Sequence, residues 1–377
     1  MMRIVRLTVF LYACLRGVSI PAADVVVGMH QDEEEAALRY RVGVIDVGTR
    51  TVEWGDVGAH DDGQAPSVAV DGRLVVEVHQ SHVGTNLWYK VGEIDEGTKA
   101  ILWGEGMRYD AGQFPMVALE GRVAVEVHQS HFGTNLWYHV GLVDAQARSI
   151  DWGEPQKYDG GQFPSVALWN GTVVETHQSE EGERLWYTVG VVDTTAMSIA
   201  WGSPQEYDGG QTPSVDVDDG VVIEMHESIH GLRLWYHVGV LDAERKTVAW
   251  GEATEFDAGI APSVAVDNGI VMEVHESHDG LDLWYHVGSV NAEAKSVSWG
   301  TGWHYGEGIL PVASVSVQVR SSDFDGNGQV DFADFLLFAR AFGSEAGDGD
   351  YETGFDLDGD GRVGFGDFVR FAREFGT

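Results

Sequence analysis

The chain has 377 residues, with 60 Asp plus Glu against 23 Lys plus Arg and a formal charge of −37. That much negative charge repels phosphate backbones and anionic lipid, which argues against nucleic-acid binding and peripheral membrane docking. A content of 44% hydrophobic and 11% aromatic residues supplies a large core, so the acidity does not mean disorder.

Residues 1–23 read as an export leader. Arg3 and Arg6 precede the apolar run 7–15, and Ala22 and Ala23 stand just before Asp24. This is the charged, apolar, small-residue order of a secretory signal, too short for a stable membrane anchor. The cleavage point is approximate, because Pro21 is awkward for a cut after Ala23, and Ile20 for one after Ala22. The only cysteine, Cys14, follows Leu11-Tyr12-Ala13 and resembles a lipobox, so a lipid-anchored form is the second reading. Beyond it there is no thiol for a disulfide framework or a nucleophile. No later stretch approaches about 18 uninterrupted apolar residues, so no transmembrane helix is expected.

From Asp24 onward a repeat organises the chain. Trp-Gly recurs at Trp54, Trp103, Trp152, Trp201, Trp250 and Trp299, always 49 positions apart. In the same register stand His30, His79, His128, His177, His226 and His275, and Pro66, Pro115, Pro164, Pro213, Pro262 and Pro311. Within one unit, residues 115–119, 122–129, 136–144 and 149–152 read as four short strands, the second alternating Val123, Val125 and Val127 with Ala124, Glu126 and His128. Four strands per unit of this length are the signature of β-propeller blades, so residues 24–320 are expected to form an all-β, six-bladed β-propeller.

The phase of the repeat places its chemistry. The longest connection runs from Trp-Gly to the proline, as in 104–114, which suits the crossing from one blade's outer strand to the next blade's inner strand. The segment after the proline is then innermost. The last one, near 311–319, has no strands following it, so the amino end must supply them from 25–30, 38–45 and 51–54. If the His strand is innermost instead, all six blades are complete without this closure. On the first phase the crossing-loop Tyr-Asp and the His-Gln/Glu-Ser segment emerge on one face. This gathers Tyr109, Asp110, His128, Gln129 and Ser130; Tyr158, Asp159, His177, Gln178 and Ser179; and Tyr207, Asp208, His226, Glu227 and Ser228. Trp137, Trp186, Trp235 and Trp284 start the third strand near that rim. Aromatic faces beside carboxylates, amides and hydroxyls suit a carbohydrate or cell-surface glycan, whose apolar side stacks on a ring while its hydroxyls take directed hydrogen bonds. The competing reading is packing: Glu and His two apart share a strand face and can satisfy one another, and tryptophans at fixed register are ordinarily blade core. A ring of six histidines, one per blade, does not converge as a metal site would.

A second module, 321–377, follows. Asp323, Asp325, Asn327, Gly328, Gln329, Asp331 and Asp334 occupy positions 1, 3, 5, 6, 7, 9 and 12 of a calcium loop. The pattern returns as Asp356, Asp358, Asp360, Gly361, Arg362 and Asp367, with Gly364 at the ninth position leaving that ligand to water. A helical stripe follows each loop: Phe335, Phe338, Ala339, Phe342, then Phe368, Phe371, Ala372, Phe375.

This duplicated loop-and-helix pattern resembles a type I dockerin. The resemblance implies calcium binding at the positions just named, docking onto a cohesin of an extracellular or cell-surface scaffold, and a setting in polysaccharide degradation. Where the family carries a hydroxylated recognition pair at positions 10 and 11, this chain has Phe332-Ala333 and Phe365-Gly366, so a different surface-assembly partner stands as the alternative. For the propeller two functions are weighed. A non-catalytic glycan-binding ring is preferred. A glycoside hydrolase or polysaccharide lyase needs a unique pair of carboxylates, which near-identical blades do not offer.

Overall fold

The computed structural model describes residues 24–376 apart from 34–35, 96, 279, 318–321, 326, 328, 346–347, 350, 353 and 358–361. The leader expected at 1–23, with Cys14, and the ligand positions Asp358 and Asp360 lie outside the described residues.

One copy of the repeat shows how the strands arise. Gln162–Trp169 is the inner strand, and it turns at Asn170 and Gly171, both at positive φ (48° and 69°), into Thr172–Gln178. Leu185–Asp193 lies alongside, pairing His177 with Trp186 and Glu175 with Thr188. Its far half pairs with Ser198–Trp201 and its near half with Gln205–Asp208. The stretch after Trp-Gly, which reads as one long loop in the sequence, is therefore partly strand: the Gly202 N–H still donates to the Val189 carbonyl at 2.7 Å, and pairing resumes past Pro204. The second strand is buried on both faces because neighbouring wedges press on it from each side, which explains its valine-rich run.

The wedges close into a β-propeller. The carboxyl-terminal inner strand, Ile309–Ser316, pairs with Val25–Gln31, which is followed in the same sheet by Ala37–Asp46 and Thr51–Trp54. The expected closure by the amino end is thus observed, and the inner strand is the one after the proline. Hydroxyls stitch the ring at two radii. Near the axis, the Ser67, Ser165, Ser214 and Ser263 side chains accept from the next inner strand (Val117, Val215, Val264 and Ala313 N–H), and Ser314 accepts from Val70. Further out, Tyr89 and Tyr138 accept from Ile150 and Ile199 N–H at 3.1 and 3.0 Å, and Tyr285 accepts from Val52 at 3.0 Å across the closure.

Four wedges stand as separate five-stranded sheets, rather than the six separate blades expected from the repeat; the remaining sheet has nine strands and carries two copies. The physical reason is one strand, Met107–Glu120. Its pairing passes without a gap from Ala111, opposite Asn86 in one copy, to Gly112, opposite Ser130 in the next, so the two copies share a ladder.

The carboxyl-terminal region is helical. Helices α1 (Phe332–Ala341) and α2 (Phe365–Glu374) follow the two acidic loops, and the Asp331 side chain caps α1 by accepting from Ala333 N–H at 2.7 Å. Buried Phe338 and Phe371 stack with ring centroids 5.6 Å apart, and Phe324 packs on both. Arg370 of α2 donates to the Asn268 side chain on a ring turn at 2.8 Å.

Candidate functional site

The rim chemistry sits where the edge of one copy meets the second and third strands of the next. Glu126 and His128, two apart on Val123–Ser130, share a face, and the cross-strand partner of Glu126 is His139. Every second-strand His packs on a glycine of the crossing segment; a Cβ on Gly112 would stand 2.5 Å from His128 Cδ2, and one on Gly161 2.4 Å from His177 Cδ2. No other residue fits beside the imidazole without displacing it.

Four of the second-strand glutamates, Glu77, Glu126, Glu175 and Glu273, each accept from two side chains. Glu126 takes one from His128 Nδ1 at 3.1 Å and one from the Tyr109 hydroxyl at 2.9 Å; Glu175 does the same with His177 and Tyr158. Where the tyrosine is replaced, a histidine substitutes: His60 Nε2 reaches Glu77 at 2.7 Å, and His286 Nδ1 reaches Glu273 at 3.0 Å in the copy that has Phe256. Burial opposes ionisation of Glu77, but the imidazoles of His60 and His79 outweigh it and hold the carboxyl at about 2. The first copy has Gly28 in place of the glutamate, and burial together with Arg41 drops His30 to about 4.

The expected rim residues do come together, since Asp110 reaches His139 Nε2 at 2.8 Å and His128 Nε2 at 3.8 Å. Their polar atoms, however, are largely used inside the protein. Tyr109, Tyr158 and Tyr207 stack on Trp152, Trp201 and Trp250, so their ring faces are covered. Burial and the adjoining Glu126 push the Tyr109 hydroxyl well above its ordinary range, keeping it a neutral donor. Gln129 and Gln178 donate to the carbonyls of Gly133 and Gly182, Ser130 and Ser228 to those of Phe132 and Gly231, and Glu227 accepts from Ala261 N–H. The Ser179 hydroxyl accepts from Arg184 N–H, and Asp159 accepts from Gly160 N–H. The indoles of Trp88, Trp137, Trp186 and Trp235 are half-buried and, among the described residues, stack on no other ring. Not foreseen from the sequence is the third-strand residue two places after Trp88, Trp137, Trp186, Trp235 and Trp284: Lys90, His139, Thr188, His237 and His286. Its signal was a position that is cationic or imidazole in most copies.

Along the axis, the inner strands line a cavity of about 210 Å³ that includes Asp71, Asp216 and Asp267. Burial, reinforced by Asp267 and Asp218, raises Asp216 to about 7 against its bonds from Val266 and Val217 N–H. The mouth on the histidine side is apolar, ringed by the six prolines with Phe114 and Phe163.

In the tail, carboxylate oxygens of Asp323, Asp325 and Asp334 lie within 4.8 Å of one another. Asn327 N–H donates to Asp323 at 3.0 Å, Gln329 N–H to Asn327 at 2.9 Å, and Asp331 N–H to Asp334 at 2.8 Å, the tight winding that turns successive oxygens inward. This donor set fits a calcium ion. In the second loop Asp356 accepts from the Tyr351 hydroxyl at 2.7 Å, Asp367 accepts from Gly364 N–H at 2.6 Å, and Arg362 pairs with Glu345 at 2.8 Å.

Residues 321–375 match the family model described as the dockerin type I domain. No curated protein sequence matches the chain. Among solved structures, a 6-phosphogluconolactonase candidate from Bacteroides fragilis superposes with a TM-score of 0.50 at 8% identity, over 80% of this chain and 99% of its own. An α-L-arabinanase from Penicillium chrysogenum superposes with a TM-score of 0.43 at 12% identity, over 68% of this chain and 85% of its own. At such identities the likeness concerns fold alone. Among the described residues no helix is long and apolar enough to cross a membrane.

Proposed function

We propose that the protein is an exported, non-catalytic assembly component: a six-wedge ring, residues 24–320, that binds polysaccharide or a cell-surface glycan, carried by a calcium-dependent tail, 321–377, that docks on a cohesin-like partner. The observation that carries this reading is the dockerin type I match at 321–375, together with the converging carboxylates of Asp323, Asp325 and Asp334. On this reading the nine-stranded sheet counts as two wedges fused through Met107–Glu120, and calcium fills both loops. Phe332 and Phe365, 62% and 72% exposed at the start of the two helices, give the docking face an apolar pair in place of a hydroxylated one. The leader at 1–23 delivers the chain outside the cell or to its surface.

For the ring, binding is preferred to hydrolysis because its buried glutamates recur in five copies, each tied to an imidazole, and no single copy separates an acid from a nucleophile. The stacking platform moves from the covered tyrosines to the half-open indoles of Trp137, Trp186 and Trp235. The test is retention of the full chain on a polysaccharide panel, with hydrolysis assayed on the same panel and cohesin capture run with calcium and with EDTA. Retention lost on Trp137→Ala with Trp186→Ala, and capture lost in EDTA, are the expected results. Turnover of any polysaccharide overturns the non-catalytic reading.

A further inference from the structure

Two of the rim clusters gather one aspartate and two histidines around a common point. Asp110 Oδ2 lies 2.8 Å from His139 Nε2 and 3.8 Å from His128 Nε2; two copies along, Asp208 Oδ2 lies 2.7 Å from His237 Nε2 and 3.9 Å from His226 Nε2. A tetrahedral ion bonded at about 2.0–2.1 Å holds its ligand atoms about 3.3 Å apart, between those two values. In each cluster all three ligand atoms, one carboxylate oxygen and two imidazole nitrogens, lie within 4.8 Å of one another. Both aspartate side chains are partly exposed, at 26% and 30%, and give the ion its route and an open fourth position, whereas the imidazoles are nearly fully buried.

The orientation of the imidazoles is set from behind. His128 Nδ1–H donates to Glu126 at 3.1 Å and His139 Nδ1–H to the Gly153 carbonyl at 2.9 Å; His226 and His237 repeat this with Glu224 and Gly251, each at 3.1 Å. Both Nε2 atoms are thereby turned toward the carboxylate, the carboxylate–histidine and carbonyl–histidine pairing that supports metal-bound imidazoles. In the neighbouring copy the position of His139 is Lys90, whose ammonium lies 2.9 Å from Asp61, a fixed cation at the place an ion would take. The His286 copy departs from the pattern, because its Nδ1 is turned onto Glu273.

We propose that the ring binds two divalent transition-metal ions of the zinc class, one at Asp110, His128 and His139 and one at Asp208, His226 and His237. Two imidazoles and one carboxylate suit zinc, nickel or cobalt and not calcium, which takes six to eight oxygens. Without the ion, a proton on His139 Nε2 bridges to Asp110; it leaves to solvent when the ion enters.

The test is calorimetric titration of zinc into the untagged full chain, with calcium in excess to fill the tail, and cobalt(II) absorption as the geometric readout. Two equivalents are expected for the native chain, one for His139→Lys or His237→Lys alone, and none for the double variant, whose lysines copy Lys90. If a lysine variant fails to fold, Asp110→Asn with Asp208→Asn serves instead, with affinity falling at least about 10-fold. Native chain that takes up no stoichiometric zinc at micromolar ion, or a double variant that binds as the native chain does, overturns the proposal and leaves only imidazolium–carboxylate pairs.

Discussion

The ring and the tail both concentrate carboxylates, and they neutralise them differently. In the ring, a buried glutamate such as Glu175 faces an imidazole and a phenol supplied by the fold itself. In the tail, Asp323, Asp325 and Asp334 face one another, with backbone N–H groups as the donors seen around them. The ring therefore carries its counter-charges in its sequence, whereas on the proposed function the tail takes its own from a calcium ion in solution. A charge cluster closed by side chains folds at any calcium level, and one closed by an ion folds only when the ion is present.

The largest expected effect comes from EDTA. It should remove the helical signal of α1 and α2 and open residues 321–377 to protease, while the ring's melting transition stays in place; limited proteolysis followed by mass spectrometry checks it. Loss of both transitions together would erase the contrast. Next is Glu175→Ala, which strands the Tyr158 hydroxyl and the His177 imidazole in a buried site and should cost the ring about 3–5 kcal/mol. Denaturant melts should show that loss in the ring, with the tail's calcium response unchanged.

The smallest effect is a pH slope. Burial raises Asp216 to about 7 and Asp267 to about 6, so the folded ring binds protons more tightly than the unfolded chain. That contribution is complete below the ordinary carboxylate range and is lost as pH rises through about 6 to 7. His79 and His139 are also raised, because Glu77 and Asp110 outweigh their burial, and they act with the same sign. The ring's melting temperature should therefore fall between pH 5 and pH 8, about the range these groups span. Asp216→Asn should flatten that fall.

Much of this was legible because the repeat is exact in length. Trp-Gly and the second-strand histidines at constant spacing gave the strand order, and the inner strand left over near residue 311 forced closure by the amino end. The duplicated loop-and-helix unit was equally plain, and α1 and α2 lie where the two phenylalanine stripes predict helices. Side-chain direction was not legible. Tyr109 lies on a segment that reads as a loop, yet Met107–Glu120 is a strand that turns the ring onto Trp152. The sharing of one strand by two copies depends on a hydrogen-bond ladder rather than on any residue type. His139 escaped notice because its partners, Asp110 and Gly153, are 29 and 14 residues away; Asp110 pairs with the neighbouring copy, and Gly153 follows the fourth strand of His139's own copy.

The pairing of Ile309–Ser316 with Val25–Gln31 has a consequence for biogenesis. The first strand emerges early and waits for its partner until nearly the whole ring has been made, leaving a valine-rich edge without its neighbour. A chain cut short before residue 309 would keep that edge open, ready to seize the same strand of another copy. Because the helical tail follows the closing strand, any molecule bearing that tail intact also carries the segment needed to seal its ring.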